Sequence, residues 1–216
     1  MAAMTFLQMQ NEIVNLRFGE PKRLNAVLWI QHRYRQVFGL RDWPFRQVSR
    51  EPVTTGAGGS ITTASPLRRA YALELASGDS LAYISPREMR TDYKVGTALT
   101  GPPQVYTQIG GLLQTQPPLP SGASVFVSYQ RAVCCFDDHG LIRAGALSGA
   151  ADTPLWPEEH HYLLVLGGMA TGLKNVNDPT WESLEQEYQL SIDAMIDDLM
   201  PPDLYGTTQY GRQSFA

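Results

Sequence analysis

The chain has 216 residues, of which 43% are hydrophobic and 18% charged, values that suit one globular domain or one domain with an insertion. No apolar run approaches the roughly 20 residues that cross a bilayer, and the N-terminus lacks a signal-peptide pattern, so we expect folding in a cytoplasm. The two cysteines, Cys134 and Cys135, are adjacent, which excludes a disulfide framework and predicts reduced, buried thiols.

Charge is distributed unevenly along the chain, although the net charge is only −4. Residues 1–50 contain eight Lys or Arg against three Asp or Glu, whereas residues 151–216 contain two against eleven. The middle of the chain is neutral. Either the two ends face different surroundings or they attract each other within one bundle, and the two interpretations are compatible.

Two amphipathic helices are predicted in the first 45 residues. Thr5 can cap the first helix, whose apolar stripe comprises Phe6, Met9, Ile13 and Leu16 and which ends at Gly19. Pro21 suits the first turn of the second helix, which ends at Gly39. Its predicted buried face comprises Leu24, Val27, Leu28, Tyr34 and Phe38, and its solvated residues Lys22, Arg23, Arg33 and Arg35. Trp43 and Phe45 follow and are interpreted as core residues.

The pattern changes from about residue 46 to residue 135 into short segments rich in β-formers, separated by Gly and Pro. Strands are predicted near residues 71–76, 81–84, 104–109, 112–115 and 125–130. The repeated turns favour a small antiparallel sheet or sandwich over parallel crossovers. The glycine-rich residues 56–60 lack the Lys of a phosphate loop and are interpreted as a flexible hairpin tip. Residues 137–155 have the composition of a loop.

Two further helices are predicted near the C-terminus. Pro157 opens the first, which contains Gly167, Gly168 and Gly172, small residues that would let another helix approach closely. Asp178 and Pro179 begin the second. Its apolar stripe comprises Trp181, Leu184, Tyr188, Ile192, Met195 and Leu199, and Glu182, Glu185, Asp193 and Asp197 lie mostly on the other side. Pro201 and Pro202 end it.

This order of elements predicts an α+β fold. Helices separated by the strand-rich block must pack together to bury their stripes, so a four-helix bundle of residues 1–45 and 154–200 is expected. Residues 46–153 would then form an inserted antiparallel β-rich domain with loops. Residues 201–216, rich in Gly, Gln, Thr and Ser, are predicted to form a flexible C-terminal arm.

Three sets of residues resemble chemical sites, and each has a simpler interpretation. Glu158 and His161 have the Glu-x-x-His spacing of di-iron bundles, yet no matching carboxylates occur on the first two helices. Asp137, Asp138 and His139 could join Ser128 or Cys135 in a catalytic set, but a turn explains them equally. Candidate carboxylates of a cell-wall hydrolase are Glu74, Glu88 and Asp92. We expect no catalytic residue, metal or cofactor.

Several longer segments carry a resemblance to a known family. They read RDWPF at residues 41–45, YISP at 83–86, GPPQVY at 101–106, QPPLP at 116–120, VFVSY at 125–129, PLWP at 154–157 and GGMATGL at 167–173. With the order of the helices and strands, these segments resemble the head–tail adaptor proteins of tailed bacteriophages, including the tail tubular protein A type.

The resemblance implies a structural virion protein in the neck between head and tail, assembled in the host cytoplasm. Twelve copies would form a ring between the portal and a tail or nozzle protein, with double-stranded DNA passing through the channel without specific binding and without any membrane. The C-terminal arm would dock to the portal through Tyr205, Tyr210, Arg212 and Phe215.

Two further surfaces are predicted, one between subunits and one facing the channel. Subunit-interface candidates are Arg33, Arg35, Arg41, Gly58 and Gly59, and channel-facing candidates are Glu182, Glu185, Asp193 and Asp197. That acidic face could repel DNA phosphates or could meet a basic partner surface. The alternative functions are a β-domain binding module for glycan or a virion protein, with an exposed aromatic patch on its sheet, and the hydrolase.

Overall fold

The computed structural model describes residues 3–92 and 101–200, without the side chain of Asp92. Its helices are α1 (Phe6–Ile13), continued by a π-helical turn (Val14–Phe18), α2 (Arg23–Leu40), α3 (Pro86–Asp92), α4 (Leu163–Asn175) and α5 (Trp181–Leu199). Its strands are β1 (Gln47–Thr54), β2 (Leu67–Leu75), β3 (Ala82–Tyr83), β4 (Val105–Ile109), β5 (Leu112–Gln116), β6 (Ser124–Arg131), β7 (Cys134–Phe136) and β8 (Ile142–Ala144). The predicted α+β class is confirmed.

Helix α1 begins where the capping residue predicts. The Thr5 hydroxyl accepts the backbone N–H of Gln8, and the Gln8 side-chain oxygen accepts the backbone N–H of Thr5. This reciprocal pair satisfies amide groups that have no partner within the helix. Gly19, with a φ of 72°, ends the π-helical turn in a backbone conformation that other residues rarely adopt.

Helix α4 lies at the centre of a hydrophobic core that α1, α2 and α5 share. Its three glycines are what allow this contact. A Cβ atom built on Gly168 would lie 2.6 Å from Ile13 Cδ1, and one built on Gly172 would lie 2.5 Å from Trp29 Cζ3. The predicted close approach of other helices to these small residues is therefore confirmed.

The buried face of α2 differs in part from the prediction, because Tyr34 and Phe38 are buried as expected but Leu24 and Leu28 are not. Leu24 and Leu28 are 80% and 62% exposed. The residues that face the core are Ala26, Trp29, Ile30, Tyr34, Val37 and Phe38. Apolar side chains occur around most of this helix, so periodicity alone did not separate the face that packs on α4 from a second apolar stripe that points to solvent.

A separate hydrophobic core lies between the strands. Strands β1, β6 and β2 form an antiparallel sheet in that order, and β3, β4 and β5 form another. The pair β3–β4 is parallel, with α3 in the connection between them, which departs from the antiparallel expectation. Because β1 and β2 both pair with β6 and not with each other, residues 56–60 connect two outer strands and are not a hairpin tip.

Strands β7 and β8 form a hairpin, and its second strand lies within the region predicted as loop. Cys134, Cys135 and Phe136 of this hairpin pack on the helical core, although they belong to the segment assigned to the inserted β-rich domain. Both cysteines are free and buried, as predicted. The division of the chain into domains stays a prediction.

Candidate interaction surfaces

Arg33 joins three helices beside the central core. Its guanidinium donates to both carboxylate oxygens of Glu185, at 3.0 and 2.5 Å, and its Nε donates to the Gly167 carbonyl and the Thr171 hydroxyl. The same guanidinium lies 4.6 Å from the centre of the Tyr188 ring, and burial raises the pKa of that tyrosine to about 12. Opposite charges from the two ends of the chain thus attract each other within one molecule.

This ion pair combines two residues that were assigned to different surfaces. The side chains of Arg33 and Glu185 are only 13% and 25% exposed. Of the other interface candidates, Arg35 is exposed and Arg41 half-buried. Gly58 is open, whereas a Cβ atom on Gly59 would lie 2.5 Å from the Leu119 carbonyl oxygen of the same chain. The four portal-docking candidates lie outside the described residues. All these roles stay predictions.

Arg46 is a buried cation that sequence reasoning missed. Its Nη1 donates to the carbonyls of Phe38 and Arg41, at 2.7 and 3.0 Å, and its guanidinium lies over the Phe38 ring. Beside it, the buried indole of Trp43 donates to the Val37 carbonyl at 2.7 Å. These bonds satisfy the last carbonyls of α2 and fix the turn into β1. The arginine before a strand gave no separate signal in the sequence.

Two exposed stripes lie on the outer faces of the helices. On α2, Leu28 and Arg35 follow Leu24 by four and eleven residues, so the three side chains share one solvent-facing side. On α5, Leu190 is 68% exposed and lies among exposed Glu182, Gln186, Asp193 and Asp197. An open groove runs along this part of α5, from Trp181 to Asp193.

A third exposed surface lies on the strands. Tyr71 and Tyr83 are both about half exposed, and the Tyr83 ring meets the buried Tyr106 ring edge-on with centres 5.5 Å apart. The Arg69 guanidinium lies 6.0 Å from the centre of the Tyr71 ring. These residues border a shallow cleft with Gln108. This is the aromatic patch that the binding-module alternative predicted.

The candidate catalytic residues have structural partners. Asp137 Oδ1 accepts the backbone N–H groups of His139 and Leu141, which forms a turn and lowers the pKa of the carboxyl group. Burial raises the pKa of the Cys135 thiol, the opposite of what a nucleophile requires. The Ser128 hydroxyl accepts the backbone N–H of Arg50.

The hydrolase carboxylates are likewise engaged. Glu74 forms an ion pair with Arg50 at 3.2 Å. Glu88 accepts the backbone N–H of Ser85 and caps α3, and this bond lowers the pKa of its carboxyl group. The side chain of Asp92 lies outside the described part of the chain.

The Glu158 and His161 pair does not form a ligand set, because both nitrogens of His161 are used. Nδ1 accepts the backbone N–H of Met4 at 3.1 Å, and Nε2 donates to the Trp156 carbonyl at 3.0 Å. A different group, Glu159, His160 and Asp198, brings its ligand atoms close together at the surface. There the His160 ring bonds to the Asp198 carboxylate at 3.0 Å.

The described residues form an α+β protein whose exposed apolar and charged faces suit contact with other proteins. No described helix has the length and apolar character required to cross a bilayer. The sequence matches the profile of the SU10 adaptor protein family over residues 4–213, and the chain belongs to this family. It is therefore a structural adaptor protein of a bacteriophage and a component of the virion. No curated protein matches the chain.

Proposed function

We propose that this chain is the head-to-tail adaptor of its virion. Copies of it form a ring, twelve in number, between the portal and a tail or nozzle protein, and the ring leaves a channel for the genome. The observation that carries this proposal is the match to an adaptor family over residues 4–213. The proposal includes adaptors of the tail tubular protein A type.

The distribution of exposed residues supports a ring. A closed ring needs two different complementary surfaces on each copy, because each subunit meets one neighbour on either side. The outer faces of α2 and α5 differ in charge, and each contains exposed leucine. A ring would cover both faces in every copy.

The direct test mixes the purified chain with portal rings from the same virus and images the complexes by electron microscopy. We expect a twelve-fold ring seated on the portal, with an open axial channel. A chain that stays monomeric and ignores the portal over the whole concentration range would overturn the proposal.

The C-terminal arm is proposed to dock to the portal through Tyr205, Tyr210, Arg212 and Phe215. A chain lacking residues 203–216 should keep its melting temperature, because a segment rich in Gly, Gln, Thr and Ser is not expected to add to a core, and should bind the portal more weakly. Restoring the arm with the three aromatic residues changed to Ala should leave binding weak. A large loss of melting temperature after truncation would instead place the arm in the folded core.

The acidic face of α5 fits a partner better than an open channel. The carboxylate charge of Glu185 is already compensated by Arg33, so it would contribute little to the repulsion of DNA phosphates. Leu190 lies exposed in the middle of the remaining carboxylates. A channel wall that only repels phosphates has no use for an exposed leucine, whereas a protein interface does.

A second candidate function is supported by the patch of Tyr71, Tyr83 and Arg69. Exposed aromatic rings beside a guanidinium can bind glycan or another virion protein. Changing Tyr71 and Tyr83 to Ala should abolish binding to host-surface glycan fragments in calorimetry, if this surface binds sugar. The matched control is Tyr162→Ala, another exposed tyrosine on the helical side. Equal binding by the wild type and both variants would leave the adaptor ring as the sole proposal.

A further inference from the structure

Some of the exposed residues of α2 and α5 fall into one stripe on the outer side of each helix. The outer α2 stripe consists of Leu24, Leu28 and Arg35. The outer α5 stripe consists of Glu182, Gln186, Leu190, Asp193 and Asp197. In each stripe, successive members are three, four or seven residues apart, the spacing with which two helices pack along their length. Each stripe therefore has the form of one half of a helix–helix contact.

The two helices are complementary in charge. Helix α2 contains Arg23, Arg33 and Arg35 and no acidic residue, whereas α5 contains six acidic residues and no Lys or Arg. Within the described residues, Glu185 is paired with Arg33 and Asp198 with His160. The four other acidic residues of α5 form no ion pair there. Arg35 is likewise without an ion pair in the described chain.

The two stripes point away from each other. Arg33 faces α5, and it follows Leu24 by nine residues, which turns it about 180° around the axis of α2. Glu185 faces α2, and it precedes Leu190 by five residues, about 140° around the axis of α5. A stripe on one side of the molecule therefore cannot cover the stripe on the other side of the same molecule.

We propose that the outer α2 stripe of one copy packs on the outer α5 stripe of the next copy. Leu24 and Leu28 would cover Leu190, and Arg35 would approach Asp193 or Asp197. The contact is head-to-tail, so it repeats around a ring and leaves neither stripe exposed. This inference rests on the proposed function, because it names the surface through which the adaptor ring closes.

Two substitutions test the contact in the full-length chain. Leu28→Glu places an acid opposite the acidic stripe, and Leu190→Lys replaces the leucine that Leu24 and Leu28 would cover with a charged ammonium group. Both leucines are exposed, so each variant should fold and melt like the wild type. The matched control is Leu141→Glu, which changes a leucine that is 64% exposed in the turn between β7 and β8. Sedimentation velocity, with and without portal rings, measures ring formation.

Each single variant should weaken association by about tenfold or more, because a central interface residue is lost. An equal mixture of the two variants should recover ring formation. In alternate junctions the introduced glutamate of one copy meets the introduced lysine of the next, and the junctions between them contain only wild-type residues. Recovery in the mixture shows that the α2 stripe of one copy meets the α5 stripe of another, and the sedimentation coefficient of a ring distinguishes the head-to-tail arrangement from a closed pair. The Leu141→Glu chain should assemble like the wild type.

Failure of the proposed adaptor function and failure of the proposed stripe contact give different results. A wild-type chain that forms no ring even on the portal would overturn the proposed function itself. Rings that form equally with the wild type and both single variants would overturn the stripe contact and leave the adaptor function standing. Loss of assembly in both variants without recovery in the mixture would also overturn it, because the two stripes would then meet other surfaces.

Discussion

The guanidinium of Arg33 and the carboxylate of Glu185 form a two-bond ion pair between α2 and α5, which lie about 150 residues apart in the sequence. The pair stands over the ring of Tyr188 and against the backbone of α4. It therefore connects the first and last thirds of the chain at one point. Its partial burial makes the loss of one partner costly to the other.

Removing the carboxylate of Glu185 should lower the stability of the fold. Glu185→Ala leaves the half-buried guanidinium of Arg33 without its counter-charge, and we expect the free energy of unfolding to fall by about 1–3 kcal/mol. Urea denaturation measures the change. Glu187→Ala is the control, because that carboxylate is exposed on the same helix, and it should alter the free energy of unfolding by less than about 0.5 kcal/mol. Equal effects of the two variants would contradict the assigned role.

The glycines of α4 should not tolerate a methyl group. In Gly172→Ala the new Cβ would meet the rings of Phe18 and Trp29 at 2.5 Å, and we expect a loss of about 1–3 kcal/mol despite the better helix propensity of Ala. Gly39→Ala is the matched helical control, because nothing lies within 4 Å of its Cβ position. It should be neutral or stabilising by up to about 1 kcal/mol in thermal unfolding. A neutral Gly172→Ala would show that α4 does not pack closely there.

His161 should make the fold sensitive to acid. Burial lowers the pKa of its imidazole, and Nδ1 must stay unprotonated to accept the Met4 N–H. The unfolded chain then binds more protons than the folded chain as the pH falls below the ordinary value of about 6.5, so stability should decrease there. His161→Gln should flatten the pH dependence of the melting temperature between about pH 7.5 and pH 5. His139→Gln, at an exposed position, should leave the wild-type dependence unchanged.

The adjacent thiols should be almost inert in the native chain. Burial raises the pKa of Cys134 to about 11 and also raises the pKa of Cys135, so little of the reactive thiolate exists near pH 8. A chromogenic disulfide reagent should react with both thiols only after unfolding. Between the ordinary thiol pKa and about 11, the unfolded chain loses protons first, and stability should fall as the pH rises. Rapid native labelling would contradict the burial of this hairpin.

The sequence predicted the buried face correctly where the apolar residues of a helix pack mainly on the core. Helix α5 has one apolar face, and Tyr188, Ile192 and Met195 are buried as their spacing requires. In α2, Leu24 and Leu28 are as apolar as the core residues, and a stripe that faces another molecule looks the same in the sequence as one that faces the core. Strand β8 was missed because its three residues show too little alternation to distinguish them from a loop.

Ion pairing and burial of polar groups were the least predictable features. The uneven charge suggested attraction between the two ends of the chain, but nothing in the sequence indicates that Arg33 in particular meets Glu185, or that Arg46 is buried. The exposed patch around Tyr71 and Tyr83 was expected only under the binding-module alternative. The resemblance to adaptor proteins depended on longer segments. The family match over residues 4–213 confirms that the chain is an adaptor protein of a phage.

The central position of α4 has a consequence for translation. Residues up to Leu40 leave the ribosome well before Leu163, and at about 5–20 residues per second the delay is roughly 6–25 s. During that interval Ile30 lacks the cover that α4 provides, while the strand core, whose residues all precede α4, can already be completed. A nascent chain stopped before α4 would keep this hydrophobic surface open to chaperones and proteases, so incomplete products should be removed before they can enter an assembling particle.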